Sequence, residues 1–236
     1  MSSTAPEVII LHGWSRDAAP SAKWQPVVRL LQEAGVRASV LKLPGFELPL
    51  EQPWGVDEYV QWLLQQLVGK QNFVLVGHSF GGHLATTYAA RFPQQVQTLI
   101  LISSAGFRSH SLSARLKRNG FYHLAKLGKK LSTSGTLRQL LHRMAGERDY
   151  LEANTMMRET MRRVIEHEVD SELKNIVAPT TVIWGENDNI TPMEFADRLL
   201  AGIPNAKLQL ITGARHGSPF THPEKVAALI LEAVHA

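Results

Sequence analysis

The sequence predicts an α/β fold of about six mainly parallel strands flanked by helices, with a helical insert between the fourth and fifth strands. Three observations carry that prediction. Short runs of Val, Ile and Leu alternate with helical patterns, as a parallel sheet covered on both faces requires. One such run, Asn72 to Val76, passes through Gly77-His78-Ser79-Phe80-Gly81 directly into a helical pattern. The alternation then stops once, from Gly106 to about Ile176, where charged helical patterns replace the strands.

The elements follow in order. Val8–Leu11, Ala38–Leu43, Phe73–Val76, Thr98–Ile102, Thr181–Trp184 and Leu208–Ile211 read as six strands. Between them Lys23–Ala34, Val56–Val68, Gly81–Arg91, Met193–Gly202 and Pro223–Val234 read as helices. Residues 1–106 and 176–236 are therefore expected to form one core domain, and 107–175 an inserted helical lid. In the lid, Leu124, Leu127 and Leu131 continue an apolar stripe beside Lys126, Lys129 and Lys130, and Gly120, Gly128 and Gly135 divide it into short helices. A second pattern, Tyr150–Val169, carries Met156, Met157, Met161, Val164 and Ile165.

Composition narrows the function. The chain has 236 residues, 44% hydrophobic and 19% charged, enough for a full core. It has no cysteine, which excludes disulfides, thiolate metal sites and a Cys nucleophile together. No run reaches the ~18 apolar residues of a membrane span, and Met1–Glu7 is too short and polar for a signal peptide, so a cytoplasmic location without stable membrane association is expected. There is no G-x-x-x-x-G-K-[ST], no G-x-G-x-x-G and no H-E-x-x-H, so neither cofactor nor metal is expected.

The strand-to-helix turn at Ser79 has the form of a nucleophile elbow. Glycines at 77 and 81 remove the Cβ atoms that would obstruct so tight a turn, and Ser79 is presented at its tip. The next amide, at Phe80, lies at a helix N-terminus, where unpaired N–H groups and the dipole favour a developing oxyanion. Serine needs a neighbouring base, and the base needs an orienting acid.

The chain resembles α/β-hydrolases of the lidded esterase, lipase and C–C hydrolase type over nearly its whole length. His12-Gly13-Trp14 matches the oxyanion loop of that family and implies a second oxyanion N–H at Trp14, beside that of Phe80. Trp184-Gly185-Glu186-Asn187-Asp188-Asn189-Ile190-Thr191-Pro192 matches its G-x-x-D-x-x-x-P loop and implies the acid Asp188, with Glu186 the competitor. Gly213-Ala214-Arg215-His216 matches its histidine loop and implies the base His216. The order Ser, Asp, His is the one expected of the fold. His12, Trp14, His78 and Phe80 are expected to line or support the substrate site. Two departures stand out. Where the family often has D-x-P-G-x-G-x-S, this chain reads Lys42-Leu43-Pro44-Gly45-Phe46-Glu47-Leu48-Pro49, so that pocket wall should differ. The family's usual antiparallel first strands are also missing from the pattern, hence six strands and not eight.

The expected activity is hydrolysis of a small-molecule carboxylic ester through Ser79, His216 and Asp188. A C–C bond hydrolase, or a binding protein that releases product slowly, are the alternatives on the same triad. Nine basic residues and no acidic one stand between Gly106 and Gly146. A solvated surface is one reading of them; guidance of an anionic substrate, such as an acyl group on an acidic carrier, is a second, and adsorption to an anionic membrane surface is a third. The stretch has no nucleic-acid recognition motif, and no nucleic-acid partner is expected.

Overall fold

The computed structural model describes residues 6–108 and 155–235. Six strands form one parallel sheet: β1 (Val8–Leu11), β2 (Ala38–Leu41), β3 (Phe73–His78), β4 (Val96–Ile102), β5 (Thr180–Gly185) and β6 (Ala206–Ile211), in the order β2-β1-β3-β4-β5-β6. Alternate residues of β1 explain why both faces had to be apolar. Ile9 and Leu11 enter one core cluster with α2 (Val56–Gln66) and α3 (Phe80–Arg91). Val8 and Ile10 enter the other, with α1 (Gln25–Glu33) and the C-terminal helix Pro223–Val234.

Most element boundaries shift by one or two residues from the sequence reading, and two of the shifts have local reasons. The second strand stops at Leu41, because the Leu43 carbonyl accepts the N–H groups of Phe46, Glu47 and Leu48 in a turn closed by Pro44-Gly45. The first helix is preceded by a 3₁₀ turn, Pro20–Trp24, which the Pro at its start favours.

Between β4 and β5 the described part of the insert is α4 (Thr155–Glu166), followed by a short 3₁₀ turn at Leu173–Asn175. Apart from Arg108, the basic stretch lies with the glycine-divided stripe at 109–154, outside the described residues. Val164, Val169 and Leu173 belong to the same core cluster as α2 and α3, and Val169 N–H bonds the Gly106 carbonyl at 3.0 Å, so the insert leaves and rejoins the core at one place. After β5 come α5 (Met193–Gly202), then, past β6, α6 (Ser218–Thr221) and α7 (Pro223–Val234). Among the described residues no helix is long and apolar enough to cross a membrane.

Candidate active site

Ser79 sits between β3 and α3 with φ +53° and ψ −115°, a conformation that non-glycine residues rarely adopt. The surroundings hold it there. Its N–H bonds the Ile102 carbonyl on β4, and its carbonyl accepts from His83 and Ala105. The glycines on either side answer to close approach: a Cβ on Gly77 would collide with the Gly81 carbonyl, and one on Gly81 with the carbonyl of Leu11. The start of α3 thus lies directly against the end of β1. That contact brings the His12-Gly13-Trp14 loop to Ser79, since a Cβ on Gly13 would stand 3.1 Å from that of Ser79.

His216 and Asp188 come from loops at the carboxyl edge of the sheet, where ligands bind in open α/β sheets. Nε2 of His216 lies 2.9 Å from Ser79 Oγ, and Nδ1 lies 2.9 Å from Asp188 Oδ2. An ionised carboxylate only accepts, so Nδ1 carries the proton and Nε2 is left to accept from the serine hydroxyl. Burial pushes the Asp188 carboxyl up, but the bonds and charge of His216 and the Ile190 N–H outweigh it and hold the group at about 2. Asp188 is therefore ionised at neutral pH. Glu186 takes no part in this chain of contacts; its carboxylate accepts the Gly213 N–H at 3.0 Å on an exposed turn.

Thr191 is a member of the site that motif reading did not single out. Its N–H bonds Asp188 Oδ1 at 3.0 Å, its hydroxyl donates to Oδ2 at 2.8 Å, and the same oxygen is 3.2 Å from His216 Nδ1. Trp184, buried on β5, donates from its indole to the Thr191 carbonyl at 2.9 Å and fixes the loop. The available signal was local: an Asp followed by polar turn residues closes on the N–H groups two and three positions on.

The other predicted site residues divide into support and wall. His78 is buried; its Nε2–H donates to the His216 carbonyl at 2.9 Å, bracing His216 from behind. Burial, reinforced by the nearby His216, lowers its pKa to about 3 and keeps it neutral. His12 is likewise buried and donates from Nδ1 to the Gly13 carbonyl at 2.8 Å, which orients the Gly13–Trp14 peptide. Both buried rings make backbone hydrogen bonds that support the loops they meet, the supporting side of what was expected of them. Trp14 is half-buried and meets the Phe80 ring at 5.6 Å, so their side chains form a wall beside Ser79. His83 is buried one helical turn beyond Ser79, with Nε2 3.0 Å from Nδ1 of His167, and burial followed by His167 lowers it to about 3. Among the described residues no group of three or more His, Asp or Glu is arranged to hold a metal ion.

The model of the Alpha/beta hydrolase family matches residues 8–229. The chain belongs to that family. Among α/β-hydrolases it is 27% identical to the 2-hydroxy-6-oxononadienedioate/2-hydroxy-6-oxononatrienedioate hydrolase of Cupriavidus pinatubonensis, over 97% of this chain and 86% of that protein. It is 26% identical to the human monoacylglycerol lipase ABHD6, over 96% of this chain and 74% of that one. The solved meta-cleavage product hydrolase of Pseudomonas fluorescens IP01 matches with a TM-score of 0.68 at 19% identity, over 98% of this chain and 90% of that one, a likeness of fold alone. The α/β-hydrolase chain described here is accordingly a hydrolase on that fold.

Proposed function

We propose that the protein is a serine hydrolase that cleaves carboxylic esters through an acyl-enzyme on Ser79. The single observation that carries the reading is the pair of 2.9 Å contacts linking Ser79 Oγ, His216 and Asp188 in one line. In the first step Oγ attacks the carbonyl carbon while Nε2 of His216 takes its proton. The negative oxygen of the tetrahedral intermediate is received by the N–H groups of Trp14 and Phe80, the latter at the start of α3. Collapse breaks the ester C–O bond, and His216 returns its proton to the leaving alcohol. Water then repeats the sequence on the acyl-serine, with His216 again the base, and releases the acid.

Hydrolysis of a C–C bond uses the same groups, and the resemblance to an enzyme named for 2-hydroxy-6-oxo dienedioates favours it as the second reading. There the leaving group is a carbanion that must be protonated. The two readings are separated by assaying p-nitrophenyl acetate and a 2-hydroxy-6-oxo-dienoate side by side in the wild type. Ester turnover well beyond one equivalent per chain, lost in Ser79→Ala, supports the esterase. Turnover confined to the dienoate supports the alternative, and a single burst per chain without turnover would point to slow product release. Equal turnover in wild type and Ser79→Ala refutes the serine mechanism.

A further inference from the structure

Aromatic rings converge on the residues that flank Ser79. Phe46 stands edge-on to Trp14, with centroids 5.1 Å apart at 87°, and edge-on to His12 at 5.3 Å and 86°. It also leans on Phe80 at 6.0 Å, and the buried Tyr59 backs Phe80 at 5.2 Å. Phe46 and Trp14 are only half-buried, so the corner between them keeps an open side. One of its walls is Trp14, and Phe80 lies behind it; these are the two residues whose N–H groups are assigned to the oxyanion.

Phe46 is held where it is by its neighbour. Glu47 stands where the family pattern has glycine, and its carboxylate accepts both from the N–H of Ser21, at 3.0 Å, and from the Ser21 hydroxyl, at 2.7 Å. Its side chain is 8% exposed, so both bonds are sheltered from water. On the other side Met157 of α4 covers Gly45: a Cβ there would lie 2.6 Å from its sulfur. The Gly45-Phe46-Glu47 turn is thereby pinned to the 3₁₀ turn before α1 and covered by α4.

We propose that Phe46 is a specificity-determining residue that selects substrates with a planar, unsaturated group on the carbonyl carbon, and that the Glu47–Ser21 clamp holds its ring in that station. The inference rests on the reading of Ser79 as the acylated nucleophile. Two rings near 90° apart offer one face and one edge, which a flat π system meets by edge-to-face or offset contact; a saturated ring of equal size gains only burial.

The test compares p-nitrophenyl benzoate with p-nitrophenyl cyclohexanecarboxylate, which share a leaving group and a carbon count. The readout is the ratio of their kcat/KM values in each variant divided by the wild-type ratio. Intrinsic reactivity and any loss common to both esters cancel. Phe46→Leu, which keeps an apolar side chain but removes the π face, is expected to shift the ratio against benzoate by about 3- to 10-fold, mainly through KM. Phe46→Ala should shift it at least as far, and Ser21→Ala in the same direction by less. Dissociation constants of benzeneboronic and cyclohexylboronic acids, read from Trp fluorescence, should show the same shift without turnover. A Phe46→Leu ratio within twofold of wild type, with both esters turned over, overturns the proposal and leaves the serine hydrolase standing. A Ser21→Ala ratio equal to wild type removes the clamp from it. If the wild type turns over neither ester and binds neither boronate, the functional reading itself fails, and this inference with it.

Discussion

Lowering the pH from 7 to 5 should strip the fold of stability through two buried histidines near Ser79. His78 and His83 are 4% and 2% exposed, and burial holds both at about 3 in the folded chain. Unfolding returns each to the ordinary value near 6.5. Because the folded pKa is the lower one, the unfolded chain takes up protons first as the pH falls. The stability these residues contribute is whole above ~6.5 and drains away toward 3. At pH 5 the loss is ~2 kcal/mol for each, or ~4 kcal/mol for the pair, against the 5–15 kcal/mol typical of a whole domain. His12, lowered by burial against the Gly13 bond and the Glu47 charge, adds in the same direction. Asp188, held at about 2, contributes stability that is whole above ~3.9 and lost only as the pH falls toward 2, so it is silent in this window. Reversible urea unfolding followed by Trp fluorescence at pH 7, 6 and 5 and fixed ionic strength measures the effect. Below pH 6 the slope should approach ~2.7 kcal/mol per pH unit, two protons taken up on unfolding. An unfolding free energy that stays flat from pH 7 to 5 refutes the reasoning.

Three further outcomes follow from the geometry. Asp188→Asn should lower kcat by up to ~10⁴, because an amide can hold the wrong imidazole tautomer, while Glu186→Gln, altered on an exposed turn, should cost no more than a few-fold; equal losses in kcat/KM would contradict the assignment. Thr191→Val removes a hydroxyl donor from the Asp188 carboxylate and should lower kcat by about tenfold or more, and an unchanged kcat would show that the loop orients the acid without it. Gly81→Ala drives a methyl group into the Leu11 carbonyl and should cost at least ~2 kcal/mol in urea unfolding. Gly35→Ala, at a positive φ with nothing within 4 Å, is the milder control, and equal losses would deny the close approach of helix and strand.

How much of this was legible in the sequence depends on the range of the forces involved. The strands were legible because Val8–Leu11 or Leu99–Ile102 must be apolar on both faces of a covered parallel sheet. Ser79 was legible because its turn needs glycines at fixed local spacing. Asp188 and His216 became legible through family motifs and chain order, since nothing local says that two loops 28 residues apart will meet. What escaped was contact between distant segments. The bond from His78 to the His216 carbonyl spans 138 positions, and the Ser21–Glu47 clamp joins two turns whose residues look like ordinary surface polar groups. For His12 and His78 the pattern left lining and support both open, and only packing shows that the two rings are buried and bonded to backbone carbonyls. The end of β2 was overextended for a simpler reason, because apolar Leu43 reads as strand while its carbonyl is claimed by the Pro44-Gly45 turn.

The central claim is that Ser79 carries the acyl group, and trapping that intermediate tests it most directly. Wild-type protein quenched in acid during turnover of p-nitrophenyl acetate, then digested and analysed by mass spectrometry, should carry one acetyl group per chain on the peptide containing Ser79, and Ser79→Ala should carry none there. An acetyl group on another residue that disappears at the rate of turnover, or full turnover in Ser79→Ala, would contradict the account.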